Sequence, residues 1–310
     1  MRSYAILFPG QGSQKVGMGA DLFAAYPDAL GRSADAILGW SLEGLLTDGP
    51  QELLTRTEHA QPALFAVSFA LWRAFGEAVG APPSAAAGHS LGEYTALAAA
   101  GAMSYEEGLT VVSERGRAMG EAASGAEPST MAALIGADLR LAEDVAANRR
   151  SEGGRLWVAN INAPGQIVVA GSVDDVRWLT AQGRSLGIRR VVPLDVAGAF
   201  HSPYMEPAVA RLAQALARVA WQPTRFPVYG NATARPMIDP ARELVEQLVS
   251  PLRFSETLER MAEGGITDFV HVGPGDVTAG LARRTVRDAV VHVVAGLDDV
   301  PAVAHELSVQ

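Results

Sequence analysis

The residues best suited to covalent chemistry are gathered in Gly88-His89-Ser90-Leu91-Gly92. Small apolar residues, Ala85-Ala86-Ala87, lead into this stretch, and Glu93-Tyr94 with the run Thr95 to Ala100 leaves it in a pattern suited to a helix. Strand, tight turn and helix form the setting of a nucleophile elbow, where the serine hydroxyl of G-x-S-x-G stands exposed on a strained turn. Glycine on either side of Ser90 lets the chain turn sharply without a Cβ clash. The dipole and free N–H groups of the following helix face the place where negative charge develops in acyl transfer. A chain with 32 glycines among 310 residues also produces these five letters by chance, and an ordinary helix N-cap serine competes for the position. A serine nucleophile needs a base. Of the six histidines, His201 in Gly198-Ala199-Phe200-His201-Ser202 is the one placed at a domain junction, after a glycine and just before a helix. Arg115 lies on the helix opened by the capping box Ser104-Tyr105-Glu106-Glu107, and from pattern alone it reads as a solvated helix charge.

Composition narrows the chemistry. There is no cysteine, so disulfides, thiolate zinc sites and cysteine nucleophiles are excluded, and no metal site is expected. Apolar residues make up 48% of the chain, ample for a core of one large domain or two ordinary ones. The apolar run near Met1 is too short for a signal peptide, and no stretch approaches the roughly 18 apolar residues of a membrane span, so a soluble cytoplasmic protein is expected. A net charge of −9 without a basic run argues against nucleic acid as a partner.

The elements that must position these residues follow an α/β order. Tyr4–Phe8 reads as a buried strand running into Pro9-Gly10-Gln11-Gly12-Ser13-Gln14, a polar loop at a strand end, where α/β folds keep their sites. It lacks the Lys-Ser/Thr ending of a phosphate loop. Thr57 to Ala63 opens a long apolar helix with Pro62 in its first turn. Residues 127–197 change character: strand Thr130–Ala137, helix Asp138–Arg149, strands Leu156–Asn162 and Gln166–Gly171, helix Val173–Leu186 and strand Ile188–Asp195. This β-α-β-β-α-β order is the ferredoxin-like arrangement. The expected organisation is a large α/β domain with a parallel core sheet from residues 1–126 and 198–310, carrying an inserted small subdomain at 127–197, with a ligand cleft between them. Asp268–Val272 reads as a further strand, on which His271 is a structural residue.

Taken together, these segments resemble the malonyl-CoA:acyl carrier protein transacylases and the related acyltransferase domains of polyketide synthases. The resemblance spans essentially the whole chain. It rests on Gly10-Gln11-Gly12-Ser13-Gln14, Gln61-Pro62-Ala63, Gly88 to Glu93, Arg115-Gly116 with Met119, Asn160 with Asn162, Gly198 to Ser202, and Gly273-Pro274-Gly275, in family order and spacing. It implies an α/β-hydrolase-like large domain and a cofactor-free ping-pong transfer of malonyl from coenzyme A to the phosphopantetheine thiol of an acyl carrier protein. By the same resemblance Ser90 is the nucleophile and His201 its base. A backbone carbonyl near Gln247 orients the histidine, and the N–H groups of Leu91 and Gln11 serve as oxyanion donors. Arg115 grips the malonyl carboxylate, and Gln61, Met119, Asn160, Asn162 and Phe200 line the substrate site.

Ala199 stands where many free-standing members have proline, so Gly198-Ala199-Phe200-His201 resembles the malonyl-type signature of polyketide synthases and leaves both pathways open. Phe200 would crowd a 2-methyl branch, which favours malonyl over methylmalonyl. Carrier proteins are acidic, and the densest basic pairs, Arg189-Arg190 and Arg283-Arg284, are the places to dock one. The expected protein is a monomer. Two enzymatic rivals share parts of the pattern: an α/β-hydrolase using His271, His292 or His305 with Asp239 or Asp268, and a thioester hydrolase that keeps Ser90 and His201 without needing Arg115. A docking scaffold with a decayed site is the non-enzymatic alternative.

Overall fold

Strand β1 (Tyr4–Phe8) is buried along its whole length because it is central to a parallel sheet covered on both faces. The computed structural model describes residues 3–125 and 127–308; residues 1, 2, 126, 309 and 310, at which the expected domain limits begin, meet and end, lie outside the described residues. With β2 (Ala85–Gly88), β3 (Ser129–Ile135), β4 (Leu156–Ala163), β5 (Gln166–Ser172), β6 (Arg190–Pro193), β7 (Asp268–Val272) and β8 (Val290–Val294), the strands form two sheets. The first has order β2-β1-β7-β8, all parallel, and the second is antiparallel with order β4-β5-β3-β6. The second sheet and its two helices, Leu139–Ser151 and Val173–Gln182, have the ferredoxin-like topology read from the sequence.

Strict alternation explains how the second sheet joins the first. Ala132 and Leu134 of β3, with Ile167 and Val169 of β5, pack under the two helices, whereas Met131, Ala133, Val168 and Ala170 face the main core. Strand β4 breaks the rule: Val158 pairs with Val169 and Asn160 with Val168, so one extra residue is accommodated there. A bulge of this kind turns the following side chains to the other face. It places Asn160 and Asn162 on the cleft side, where unbroken alternation from Val158 would have put them under the helices. Ile161 and Leu252 then stitch the two parts together, with Ile161 N–H donating to Leu252 C=O at 2.7 Å.

Several boundaries differ from expectation. Strand β3 stops at Ile135 because Gly136 turns left-handed at φ +83°, and β6 is confined to Arg190–Pro193. The helix expected to reach Leu186 ends at Gln182. Pro62 is not in a first turn: its helix spans Thr57–Val79, one turn further out, and Glu58 C=O thereby loses a helical donor. That helix is also long and apolar enough to cross a membrane by length and composition, contrary to the reading of the sequence, but 67% of the span is buried inside the protein.

Candidate active site

Strand β2 delivers Ser90 two residues beyond its end, and the helix Gly92–Ala99 starts two residues after it. The strain sits on the serine itself, at φ +52°, a left-handed conformation that a non-glycine residue keeps only when its surroundings hold it. The flanking glycines supply room rather than positive φ. A Cβ on Gly88 would lie 1.8 Å from Gly92 carbonyl carbon, and one on Gly92 would lie 2.3 Å from the Phe8 carbonyl oxygen.

His201 is also left-handed, at φ +55°, on the loop before Pro203–Met205. Its Nε2 lies 2.8 Å from Ser90 Oγ, and its Nδ1 lies 2.9 Å from the Gln247 carbonyl oxygen. A carbonyl only accepts, so Nδ1 carries the proton and Nε2 is free to take one from the serine. Burial, and then the neighbouring Arg115 cation, push the imidazole from its ordinary 6.5 down to about 3, which keeps it neutral. The pair is therefore in the protonation state that general-base attack requires.

Arg115 is not a solvated helix charge. It is 1% exposed, because the Tyr105–Ala123 helix packs against Thr57–Val79 so tightly that a Cβ on Gly116 would stand 2.8 Å from Thr57 C=O. The guanidinium donates to Gln61 Oε1 at 2.6 Å, Gln247 Oε1 at 2.9 Å and Ser90 Oγ at 3.1 Å, and it lies over the Tyr94 ring. Its Nε–H has no partner, and among the described residues no carboxylate forms a salt bridge with it. Gln61 is held in turn by Met119, its Nε2 lying 3.4 Å from the thioether sulfur.

Ser90, His201 and Arg115 open into a cleft of about 230 Å³ that also meets Gln11, Phe200 and Asn160. The polar loop after β1 forms one wall, tied down by its two glutamines: Gln14 Oε1 accepts from Gly12 N–H at 2.7 Å and Gln11 Nε2 donates to Thr57 Oγ1 at 3.2 Å. On the opposite wall Asn162 Oδ1 sits 2.8 Å from His89 Nε2, while Asn160 Oδ1 is buried and unpaired. Leu91 N–H has no acceptor among the described residues and follows the nucleophile directly. A larger surface cleft of about 540 Å³ beside Trp72 and Phe226 carries neither nucleophile nor base.

Two residues to which the sequence assigned no role brace the elbow. Asn231 accepts the Ser90 N–H at 2.8 Å and donates to Gly88 C=O at 2.7 Å, bracing the elbow from behind. Glu93 is fully buried beneath it, hydrogen-bonded to Gln247, and burial pushes its carboxyl up to about 8. The signal for Glu93 was visible, since it is the one acid in an otherwise uncharged stretch of small and apolar residues. Two of the histidines that an α/β-hydrolase scheme would call on are engaged elsewhere. His271 is bonded to Thr278 and Gly273, His292 bridges Asp268 and Glu306, and Asp239 caps its own helix; among the described residues His201 is the histidine bonded to Ser90 Oγ.

A strained serine, a neutral imidazole and a buried guanidinium facing one small cleft define a site for acyl transfer to and from serine. Residues 6–304 match the acyl transferase domain family, and the chain belongs to it. It is 40% identical over 292 residues to the malonyl CoA-acyl carrier protein transacylase of Bacillus subtilis, covering 93% of this chain and 92% of that one. Among solved structures it is similar to an acyl carrier protein S-malonyltransferase from Vibrio cholerae, with TM-score 0.91, 36% identity and coverage of 97% and 99%. It is equally similar to a malonyl-transacylase solved with its type II polyketide synthase acyl-carrier protein, with TM-score 0.92, 34% identity and coverage of 98% and 99%.

Proposed function

We propose that this protein transfers malonyl from coenzyme A to the phosphopantetheine thiol of an acyl carrier protein, in fatty acid or polyketide synthesis, through an ester on Ser90. The observation that carries the reading is the Arg115 guanidinium, buried without a carboxylate partner and 3.1 Å from the Ser90 hydroxyl. A buried cation calls for an anion, and malonyl brings a free carboxylate to that place. A thioester hydrolase acting on neutral acyl groups has no use for it.

In this mechanism Ser90 Oγ attacks the thioester carbonyl while its proton passes to His201 Nε2. The oxyanion of the tetrahedral intermediate is received by the N–H groups of Leu91 and Gln11, and removal of one such donor typically costs about 10²–10³ in rate. Collapse expels the coenzyme A thiolate, which takes the proton back from His201. The carrier thiol then gives its proton to the same nitrogen and attacks the ester, and collapse of that second intermediate expels Ser90 Oγ, which takes the proton back from His201. Gln61 and Gln247 hold Arg115, and the Gln247 carbonyl holds His201. Phe200 restricts the space at the 2-carbon, and Asn160 and Asn162 meet the incoming arm.

The carrier docks, in this reading, on the rim beside the cleft. Arg284 donates to Gln166 Oε1 at 2.6 Å, Gln166 lines the cleft and pairs with Ile135, and Ile135 pairs on its other side with exposed Arg190. The two basic pairs thus approach one edge. Residues 127–197 form the small subdomain and 1–126 with 198–310 the catalytic domain, a division supported by the separate apolar cluster under the second sheet. The protein, in this reading, works as a monomer in the cytoplasm, and its one helix apolar enough to cross a membrane, among the described residues, is mostly buried in the core. Intact-mass analysis after incubation with malonyl-CoA tests the whole reading: one malonyl adduct per chain on the wild type and none on Ser90→Ala. An adduct persisting on the alanine variant would end it.

A further inference from the structure

Glu93 lies in the first turn of the Gly92–Ala99 helix, with no solvent exposure and no other acid or base in that helix. Its carboxyl receives two donors, Gln247 Nε2 at 2.6 Å and Asn231 N–H at 3.3 Å. Each of those residues reaches onward to the strained nucleophile, and they do so from opposite sides. Asn231 Oδ1 accepts the Ser90 N–H at 2.8 Å, and Gln247 Nε2 donates to the Ser90 carbonyl oxygen at 2.8 Å. Both peptide groups of the left-handed residue are therefore gripped by side chains that share one anchor.

The same anchor helps decide which way the Gln247 amide points. As placed, Oε1 accepts from Arg115 at 2.9 Å and the amide nitrogen faces Glu93 and the Ser90 carbonyl. A flipped amide would set its NH₂ against the guanidinium donors and its oxygen against two acceptors. The Arg115 donors and the Ser90 carbonyl oppose that alternative together with Glu93, and a carboxyl keeps a lone pair for each donor whether or not it carries a proton. The amide also stands between the acid and Arg115. Glu93 thereby holds the arginine in place without covering its fork, which stays open toward Ser90.

We propose that Glu93 is the positioning residue of this site: by accepting from Gln247 and Asn231 it sets the amide that aims Arg115 and holds the Ser90 turn between its two neighbours. The inference rests on the roles of Ser90 and Arg115 proposed above.

The test compares wild type, Glu93→Gln and Glu93→Ala as folded, monodisperse protein. Three quantities are read: the rate at which phenylmethylsulfonyl fluoride labels Ser90, the malonyl-to-acetyl ratio of acyl-enzyme formation from the two CoA esters, and Tm. Glutamine keeps the shape but offers one acceptor where two are needed, and a buried donor left without one costs about 5-fold to 150-fold. Glu93→Gln should lower both the labelling rate and the ratio by about 10-fold, with a reduced Tm but a folded protein and an unchanged KM for acetyl-CoA. Glu93→Ala should lower them further, and if it does not fold the glutamine variant decides alone. Wild-type labelling and ratio in Glu93→Gln, with only Tm reduced, would overturn the proposal and leave Glu93 a residue of the fold. A wild type that is labelled but takes no malonyl would sink the transferase reading, while the labelling comparison would still decide the role of Glu93.

Discussion

Arg115→Ala separates the carboxylate-binding role of the guanidinium from everything else it touches. The substitution removes donors to Gln61, Gln247 and Ser90 at once, so absolute rates will fall for every acyl group. Those losses are common to malonyl and acetyl and cancel in the ratio of their kcat/KM values. What does not cancel is the bond to the distal carboxylate, which acetyl lacks. A charge-assisted hydrogen bond in a buried site is worth about 1.5–3 kcal/mol, which corresponds to roughly 10-fold to 150-fold in kcat/KM. The malonyl-to-acetyl ratio should therefore drop by at least about 10-fold in Arg115→Ala. Arg115→Lys should fall between, because an ammonium keeps the charge but cannot reach Gln61 and Gln247 in one rigid fork. The assay is acyl transfer to a phosphopantetheinylated carrier from the two CoA esters, with the half-life of the Ser90 ester followed in parallel. An unchanged ratio in the alanine variant would refute the reasoning, since the buried guanidinium would then have no carboxylate to bind.

His201→Ala should slow acylation by about 10²–10⁴, the usual worth of a general base, with the fold preserved by circular dichroism. Equal damage from His292→Ala would contradict the assignment of the base. Acid should act on stability before it acts on the dyad by ordinary titration. His201 and His271 are held neutral, at about 3 and about 4 against an unfolded 6.5, so the unfolded chain binds more protons in between. Their contribution is intact above pH 6.5 and is lost as pH falls from there toward those values. Tm should decline through that window, while kcat/KM of the folded enzyme should show no acid limb near 6.5; such a limb would mean that the imidazole is not desolvated. Phe200→Ser should raise the methylmalonyl-to-malonyl ratio, read by competition between the two CoA esters; a ratio that stays put would remove Phe200 from substrate selection.

Much of this architecture was legible because it is written in local patterns. Five buried apolar residues followed by Pro-Gly announced β1 and the loop wall, and Ser104 with Glu107 announced the helix that carries Arg115. The βαββαβ order appeared in alternating periodicities. Arg115 itself was misread by pattern, since its burial depends on two helices meeting at Gly116, a contact between segments far apart in the chain. The bulge in β4 was equally invisible: nothing in Leu156 to Asn162 says that Ala159 and Asn160 share a face, and only pairing with β5 decides it. Asn231 escaped for the same reason, because its partners, Ser90 and Gly88, lie on another strand's turn. Glu93 could have been found, since an acid amid Gly, Ala, Leu and Tyr in a fully buried helix must be bonded to something.

The most direct test of the central claim is the fate of the isolated acyl-enzyme. Wild-type protein is loaded from malonyl-CoA, freed of coenzyme A, and divided between buffer and a phosphopantetheinylated carrier protein, with intact mass followed on both proteins. The Ser90 ester should persist in buffer and pass intact to the carrier thiol, appearing there as malonyl in equal amount. An ester that water removes as fast with the carrier as without it, leaving free malonate and an unmodified carrier, would contradict the account and make the protein a thioester hydrolase.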